Sequence, residues 1–517
     1  MNHQTSLEVR HTIDGRQRAM APTTLAMRGA SDASGALAPT VRFTEIATSM
    51  ATPSAVTLTL ESALRLALGI ALAVALTAPA PVMAQDGDWT LVGWNDLGMH
   101  CMDADYSVFS ILPPYNTIHA QLLDPSGDLV TSASGITVTY EAVADPEGSI
   151  NSTSIGKTGF WDRVLDLFGV SLSPDQGLAG SNMPGPANTP QPMHFEPAFS
   201  WFTAEGIPLT PYDNSLQKRY YPMMRLVARG SGGQVLATTR IVLPVSDEMT
   251  CISCHGSGSG GAAEPSAGWI DDPDPERDFR LNILRLHDEL QATSASYAAA
   301  LVDAGYSPAG LFATVTAGST PVLCDACHGS NALPGTGLPG VTPLTAAVHA
   351  RHASVIDPRN GMTLNQSANR AACYTCHPGS ETRCLRGAMG NAVASDGSLE
   401  MQCQSCHGSM QRVGALARDG WFDEPTCQSC HTGTATQNNG QIRFTSAFDS
   451  SGEPRVAVNS TFATDPGTPF PGTSLYRFST GHGGVQCSGC HGSTHAIFPS
   501  SHLNDNLQNL DLQGHAG

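Results

Sequence analysis

Twelve of the fourteen cysteines fall into six pentapeptides of the form Cys-x-x-Cys-His: CISCH at 251–255, CDACH at 324–328, CYTCH at 373–377, CQSCH at 403–407, CQSCH at 427–431 and CSGCH at 487–491. Composition alone yields roughly 0.01 such matches in a chain of this length, so six do not arise by chance. The chemistry this spacing serves is covalent haem attachment. Two thiols three positions apart add to the two vinyl groups along one edge of a porphyrin, and the His that follows reaches the iron from one face. The attachment residues are then Cys251, Cys254, Cys324, Cys327, Cys373, Cys376, Cys403, Cys406, Cys427, Cys430, Cys487 and Cys490. The proximal iron ligands are His255, His328, His377, His407, His431 and His491, for six c-type haems. Two other chemistries use paired cysteines. Zinc in Cys₄ sites needs no His after every second Cys, and a disulfide framework explains an even count but not the repeated His.

A six-coordinate iron needs a second axial ligand, whereas an open position permits catalysis. His100, His119, His287, His349, His352, His482 and His495 are the candidate distal ligands. His287 lies in DFRLNILRLHDEL, where Phe279, Ile283, Leu284, Leu286 and Leu290 recur at helical spacing, and it shares an inward face with Ile283, Leu284 and Leu290. His349 and His352 stand at i and i+3 on one face of a second helix, PLTAAVHARHASV, where they can serve two neighbouring haems. His482 and His495 flank the last motif on short Gly-rich links. His100 and His119 lie far upstream, in NDLGMHCMD and PPYNTIHAQ, with a structural role in a sheet as the competing reading. Met99 and Met102 are thioether alternatives that would raise a haem potential. His194, His502 and His515 are expected at the surface. Cys101 and Cys384 stand outside the motifs, and a disulfide, a buried thiol or a thiolate ligand are all open to them.

The elements that must position these residues divide by composition. Residues 85–246 carry no motif and read as an antiparallel β-rich domain: WTLVGW, TIHAQLL and GITVTYEAVA are short apolar or alternating runs bounded by turn residues. MMRLVARGSGGQVLATTRIVLPV is a hairpin about Gly-Ser-Gly-Gly, and TGFWDRVLDLFG is a short helix within a loop-rich stretch. The expected form is a small antiparallel sandwich with long insertions. Residues 247–517 hold all six motifs in 271 residues, so the fold class there is mainly irregular and α, a haem-packed multihaem cytochrome domain without an ordinary side-chain core. First cysteines are 73, 49, 30, 24 and 60 residues apart, which is no repeat array, and the short gaps bring haems 3, 4 and 5 close together.

Residues 66–78 (LALGIALAVALTA) form an uncharged run preceded by Arg65 and followed by the small-residue pattern Val82, Met83, Ala84. That is a secretory signal over residues 50–84, too short for a comfortable membrane span. Residues 1–49 are polar and patternless, an N-terminal extension expected to be disordered and non-native. An exported location, in the periplasm, at the outer-membrane surface or outside the cell, follows. The whole chain carries a formal charge of −19, and removing residues 1–84 takes away six basic and five acidic residues to leave about −20. Such a surface excludes nucleic acid as a partner and suits basic redox proteins or metal oxide acceptors.

The stretches CYTCHPGSETRCLRGAM, HGGVQCSGCHGSTHAIFPS, LGMHCMD and SDEMTCISCH resemble those of multihaem c-type cytochromes, the exported hexahaem cytochromes of respiratory bacteria. The resemblance covers about half of the chain. It implies electron transfer through mostly bis-His haems in respiratory or extracellular electron transport. It also brings two alternatives, a reductase of a nitrogen or sulfur oxyanion with one open haem, and a filament in which a His of one subunit caps a haem of the next. Some such reductases carry a Lys in the active-site motif, and no CxxCK occurs here. That tilts the expectation away from an enzyme.

Overall fold

The computed structural model describes residues 88–330, 332–333, 335–417, 427, 446–453, 455 and 482–516. The extension and signal expected over residues 1–84 lie outside the described residues, as do Cys430, His431 and the side chain of His482. The described residues belong to one compact unit.

The first half is built on two antiparallel four-stranded sheets. One has the order β1-β4-β8-β7, from β1 (Thr90–Asn95), β4 (Asn116–Leu123), β8 (Trp201–Ile207) and β7 (His194–Glu196). The other has the order β10-β9-β5-β6, from β10 (Val235–Val242), β9 (Met223–Arg229), β5 (Thr137–Val143) and β6 (Gln191–Pro192). Their inner faces share one core, with Leu91, Ile118, Ala120, Phe202 and Ile207 from the first sheet and Val138, Tyr140, Leu226 and Ile241 from the second, so the expected sandwich is present. The expected hairpin is β9–β10: Gly230 N donates to Gln234 O at 3.0 Å, closing the Gly-Ser-Gly-Gly turn. The expected short helix is α1 (Phe160–Phe168), which buries Phe160, Val164 and Leu167 on one face.

Two parallel two-stranded pairs lead into the second half. β2 (His100–Cys101) pairs with β11 (Val245–Ser246), and β3 (Phe109–Ser110) pairs with β12 (Val322–Leu323). β12 is the only strand beyond residue 246 among the described residues. The helices are α2 (Ile252–His255), α3 (Pro275–Gln291), α4 (Ala295–Asp303), α5 (Leu311–Thr316), α6 (Leu344–His352), α7 (Cys403–His407), α8 (Met410–Val413), α9 (Cys487–His491) and α10 (Leu507–Gln513). None is long and apolar enough to cross a membrane.

α3 starts where the sequence dictates. Asp274 caps it, its carboxylate accepting from Glu276 N at 3.0 Å, Pro275 occupies the first turn, and Glu276 and Asp278 add acidic charge at the positive end of the dipole. The helix buries Phe279, Leu281 and Leu284 against Leu301, Leu311 and Val315 of α4 and α5 and against Val108, Phe109 and Val322. Each such side chain contributes about 1.5–3 kcal/mol. This small side-chain core departs from the expectation that none would form beyond residue 247. α3 is long enough to bury a stripe, and β3 supplies the missing apolar partner from the first half. A second departure is Leu290, expected on the inward face but exposed near the helix end.

The C-terminal segment fastens the halves together. Gln508 on α10 accepts from Gly93 N at 2.8 Å and from Thr239 Oγ1 at 3.1 Å, touching both sheets, and donates to Gly489 O of the last motif at 3.1 Å. Arg386 makes a bidentate ion pair with Asp505, both contacts 2.7 Å and both side chains buried, while also donating to Gly98 O at 2.7 Å.

Candidate functional site

Each described Cys-x-x-Cys-His motif is one helical turn. His255 N donates to Cys251 O at 3.0 Å, His328 N to Cys324 O at 3.0 Å and His377 N to Cys373 O at 2.9 Å, and motifs four and six form α7 and α9. A turn of 3.6 residues puts i, i+3 and i+4 on one side, so both thiols and the imidazole face the same way. The described motif cysteines are half-buried except Cys490, which is exposed.

Among the described residues, four pairs each set a motif histidine against a histidine from outside the motifs. The ring centres are 6.3 Å apart for His255 and His352, 6.4 Å for His287 and His328, 6.2 Å for His349 and His377, and 6.1 Å for His407 and His495. An imidazole nitrogen lies about 2 Å from a first-row metal that it ligates and its ring centre about 1 Å further back, so two rings trans across one ion stand about 6 Å apart. Four independent pairs repeat that spacing to within a few tenths of an ångström. The rings are steeply inclined in two pairs, 69° for His255 with His352 and 86° for His287 with His328. They are nearly parallel in the others, 15° for His349 with His377 and 22° for His407 with His495.

Hydrogen bonds at the other ring nitrogen set the tautomer. Nδ1 of His328 lies 2.7 Å from Thr342 O, that of His349 2.8 Å from Thr345 O, that of His352 2.7 Å from Val348 O and that of His495 2.7 Å from Leu97 O. A carbonyl only accepts, so Nδ1 carries the proton in each and Nε2 keeps its lone pair for a metal. Three of the facing rings are also favoured in the neutral form. Burial, with His352 next to it, pushes His255 down to about 4, and burial, with His349 and His407 nearby, pushes His377 down to about 4. Burial and His328 lower His287. A neutral imidazole is the ligating form.

Backbone approach matters at one position. A Cβ on Gly387 would stand 2.3 Å from Ile497 N and 2.6 Å from Ile497 O, while Gly387 N and Arg386 N both donate to His495 O at 2.9 Å. This close contact carries His495 from the last motif across to His407.

His100 and His119 lie on strands of the first half. His100 is buried and its Nε2 lies 2.7 Å from Asp96 Oδ1, a local ion-pair geometry in β2. His119, in β4, stacks on Trp201 at 4.0 Å between ring centres and lies beside Trp94. Met102 is fully buried in the sandwich core and Met99 is also buried. His194 and His515 are exposed as expected, but His502 is half-buried and stacked on Tyr221 at 3.6 Å. Its surface expectation overlooked the long-range packing of the C-terminal segment on residue 221. Motif six lies against the first sheet: Gln486 N donates to Gln121 Oε1 at 2.8 Å and Ser493 Oγ to Asn95 O at 2.6 Å.

Outside the motifs, the thiols of Cys101 and Cys384 are hydrogen-bonded to each other, and that contact together with burial raises Cys101 well above a free thiol. The pairing had no sequence signal beyond both residues being left over. A buried acid was also missed. Asp325, inside the second motif, is fully buried, and burial lifts its carboxyl to about 7 against a lowering influence from Ser330. Asp103 is likewise buried and lifted to about 6, with Arg280 opposing the shift.

Among the described residues no group of three or more His, Cys, Asp or Glu gathers as a metal site of its own. Opposed pairs of histidines, each beside a Cys-x-x-Cys turn, suit an iron whose other ligands come from a porphyrin. Zinc in a Cys₄ or Cys₂His₂ site asks for a tighter cluster. No protein-family model matches the chain, and no curated protein and no solved structure was found to match it.

Proposed function

We propose that the chain is an exported electron carrier that holds c-type haem at its six motifs. The observation that carries this reading is the set of four opposed histidine pairs, each with one motif member. Bound between two imidazoles, haem iron supplies one-electron exchange without opening a coordination position. The protein's own residues do the rest. Cys-x-x-Cys turns would hold each group covalently, motif histidines would ligate its iron, and His352, His287, His349 and His495, which face four of them, would ligate it as well. Carbonyls of Thr342, Thr345, Val348 and Leu97 keep the rings oriented. An acidic chain of formal charge −19 recruits basic redox proteins or cationic metal species.

The test is expression with an export signal in a host that attaches haem c. Intact mass and pyridine haemochrome should give six haems per chain, and the ferric protein should be low-spin. A chain that folds and binds zinc, or that carries no covalent haem, sinks the reading.

A further inference from the structure

Granting that reading, we infer that five of the six haem sites, those whose motif histidines are described, follow one another in space in the order second, first, third, fourth, sixth by motif. This is not the order of the sequence. Each step of the row has its own structural link.

The second and first sites share α3. His287 on that helix faces His328, and Asn282, a turn and a half earlier, donates Nδ2 to His255 O at 3.0 Å. Cys251 and Cys324, the first cysteines of the two motifs, pack against the same apolar cluster. The first and third sites share α6. His352 faces His255 and His349 faces His377, and the two ligands are about 4.5 Å apart along the axis at 1.5 Å per residue. A backbone bond from Thr250 N to Cys376 O at 3.0 Å ties the same two motifs directly. The third and fourth motifs touch, with the thiols of Cys373 and Cys403 hydrogen-bonded and Gln404 Nε2 donating to Asn369 O at 3.0 Å. The fourth and sixth sites are joined by chain. His495, which faces His407, follows His491 by four residues, and Phe498 N folds back to His491 O at 2.8 Å. Cys427, the described residue of the fifth motif, is hydrogen-bonded to Cys487 of the sixth.

The row has a physical consequence within the protein. Its first two sites have steeply inclined ligand planes and the next two have nearly parallel ones, so the row divides between the first and third sites.

Crystals or cryo-EM maps of the full-length holoprotein, with iron positions assigned to motifs, test the order. The iron at the first motif should have the second and third as its nearest neighbours, and the fourth should have the third and sixth. An iron at the third motif closer to the second than to the first overturns the row, as does a fourth site lying apart from the sixth. Haem count separates the two readings: six attached haems in another order refute the row alone, whereas missing haems refute the function proposed above. A solution measurement gives a second check. His352→Met should raise the potential of the first site. In an NMR-followed redox titration the added interaction should then move sites two and three most, because charge interaction falls with distance. The largest secondary shift at site four or six would refute the row.

Discussion

Replacing His349 by Ala should convert one iron and leave its neighbour on the same helix untouched. His349 and His352 are three residues apart on α6 and face different motif histidines, His377 at 6.2 Å and His255 at 6.3 Å. Removing the His349 ring takes away one axial ligand and one hydrogen bond, from Nδ1 to Thr345 O. The bond is worth about 0.5–1.5 kcal/mol net, too little to unfold the chain. With six motifs in the sequence, about one sixth of the iron should become high-spin. His352→Ala should free a similar share from a different site. The two are distinguishable, because the angle between ligand planes shapes the low-spin ferric signal, and the planes meet at 15° in one pair and 69° in the other. Low-temperature EPR with spin quantitation on both variants is the assay, and added imidazole should restore the low-spin signal. An H349A protein with six attached haems and no high-spin iron would refute the assignment, as would two variants that lose the same component.

Three further outcomes are expected. Arg386→Met should lower stability by about 3–5 kcal/mol, since it leaves Asp505 buried without its bidentate partner, and chemical denaturation of the holoprotein measures it. Cys101 and Cys384 should be recovered as one disulfide-linked peptide from protein exported through an oxidising compartment; C101S should then cost about 2–4 kcal/mol, and two free thiols on non-reducing peptide mapping would contradict this. Asp325→Asn should stabilise the protein above pH 7. The folded carboxyl, at about 7 against 3.8 unfolded, holds its proton where the unfolded chain releases it, so its favourable contribution is full below about pH 4 and is lost as pH rises to 7. Melting curves from pH 4 to 8 should show a flatter profile for the variant, and an unchanged profile would rule this out.

Much of the candidate site was legible because its chemistry is local. The two cysteines and the histidine of each motif lie within five consecutive residues, and a single helical turn suffices to align them. His349 and His352 were readable for the same reason, since i and i+3 share a face whatever the rest of the fold does. The sandwich strands, the hairpin and α1 followed from alternation, turn residues and amphipathic spacing. The small core around α3 was not legible, because it needs Val108 and Phe109, residues far upstream that sequence spacing does not connect to a helix beginning at Pro275.

What the sequence determined alone is the number and spacing of the Cys-x-x-Cys-His motifs and the histidines available to face them. Which histidine meets which motif was decided only by the tertiary structure. His407 and His495 are brought together by the close passage of Gly387 against Ile497, and His100 is held against Asp96. A ligand's identity is a property of one side chain and its neighbours in sequence. Its partner across an iron is a distance between segments, and that distance is fixed by packing, by the buried Arg386–Asp505 pair and by the strands that carry both halves.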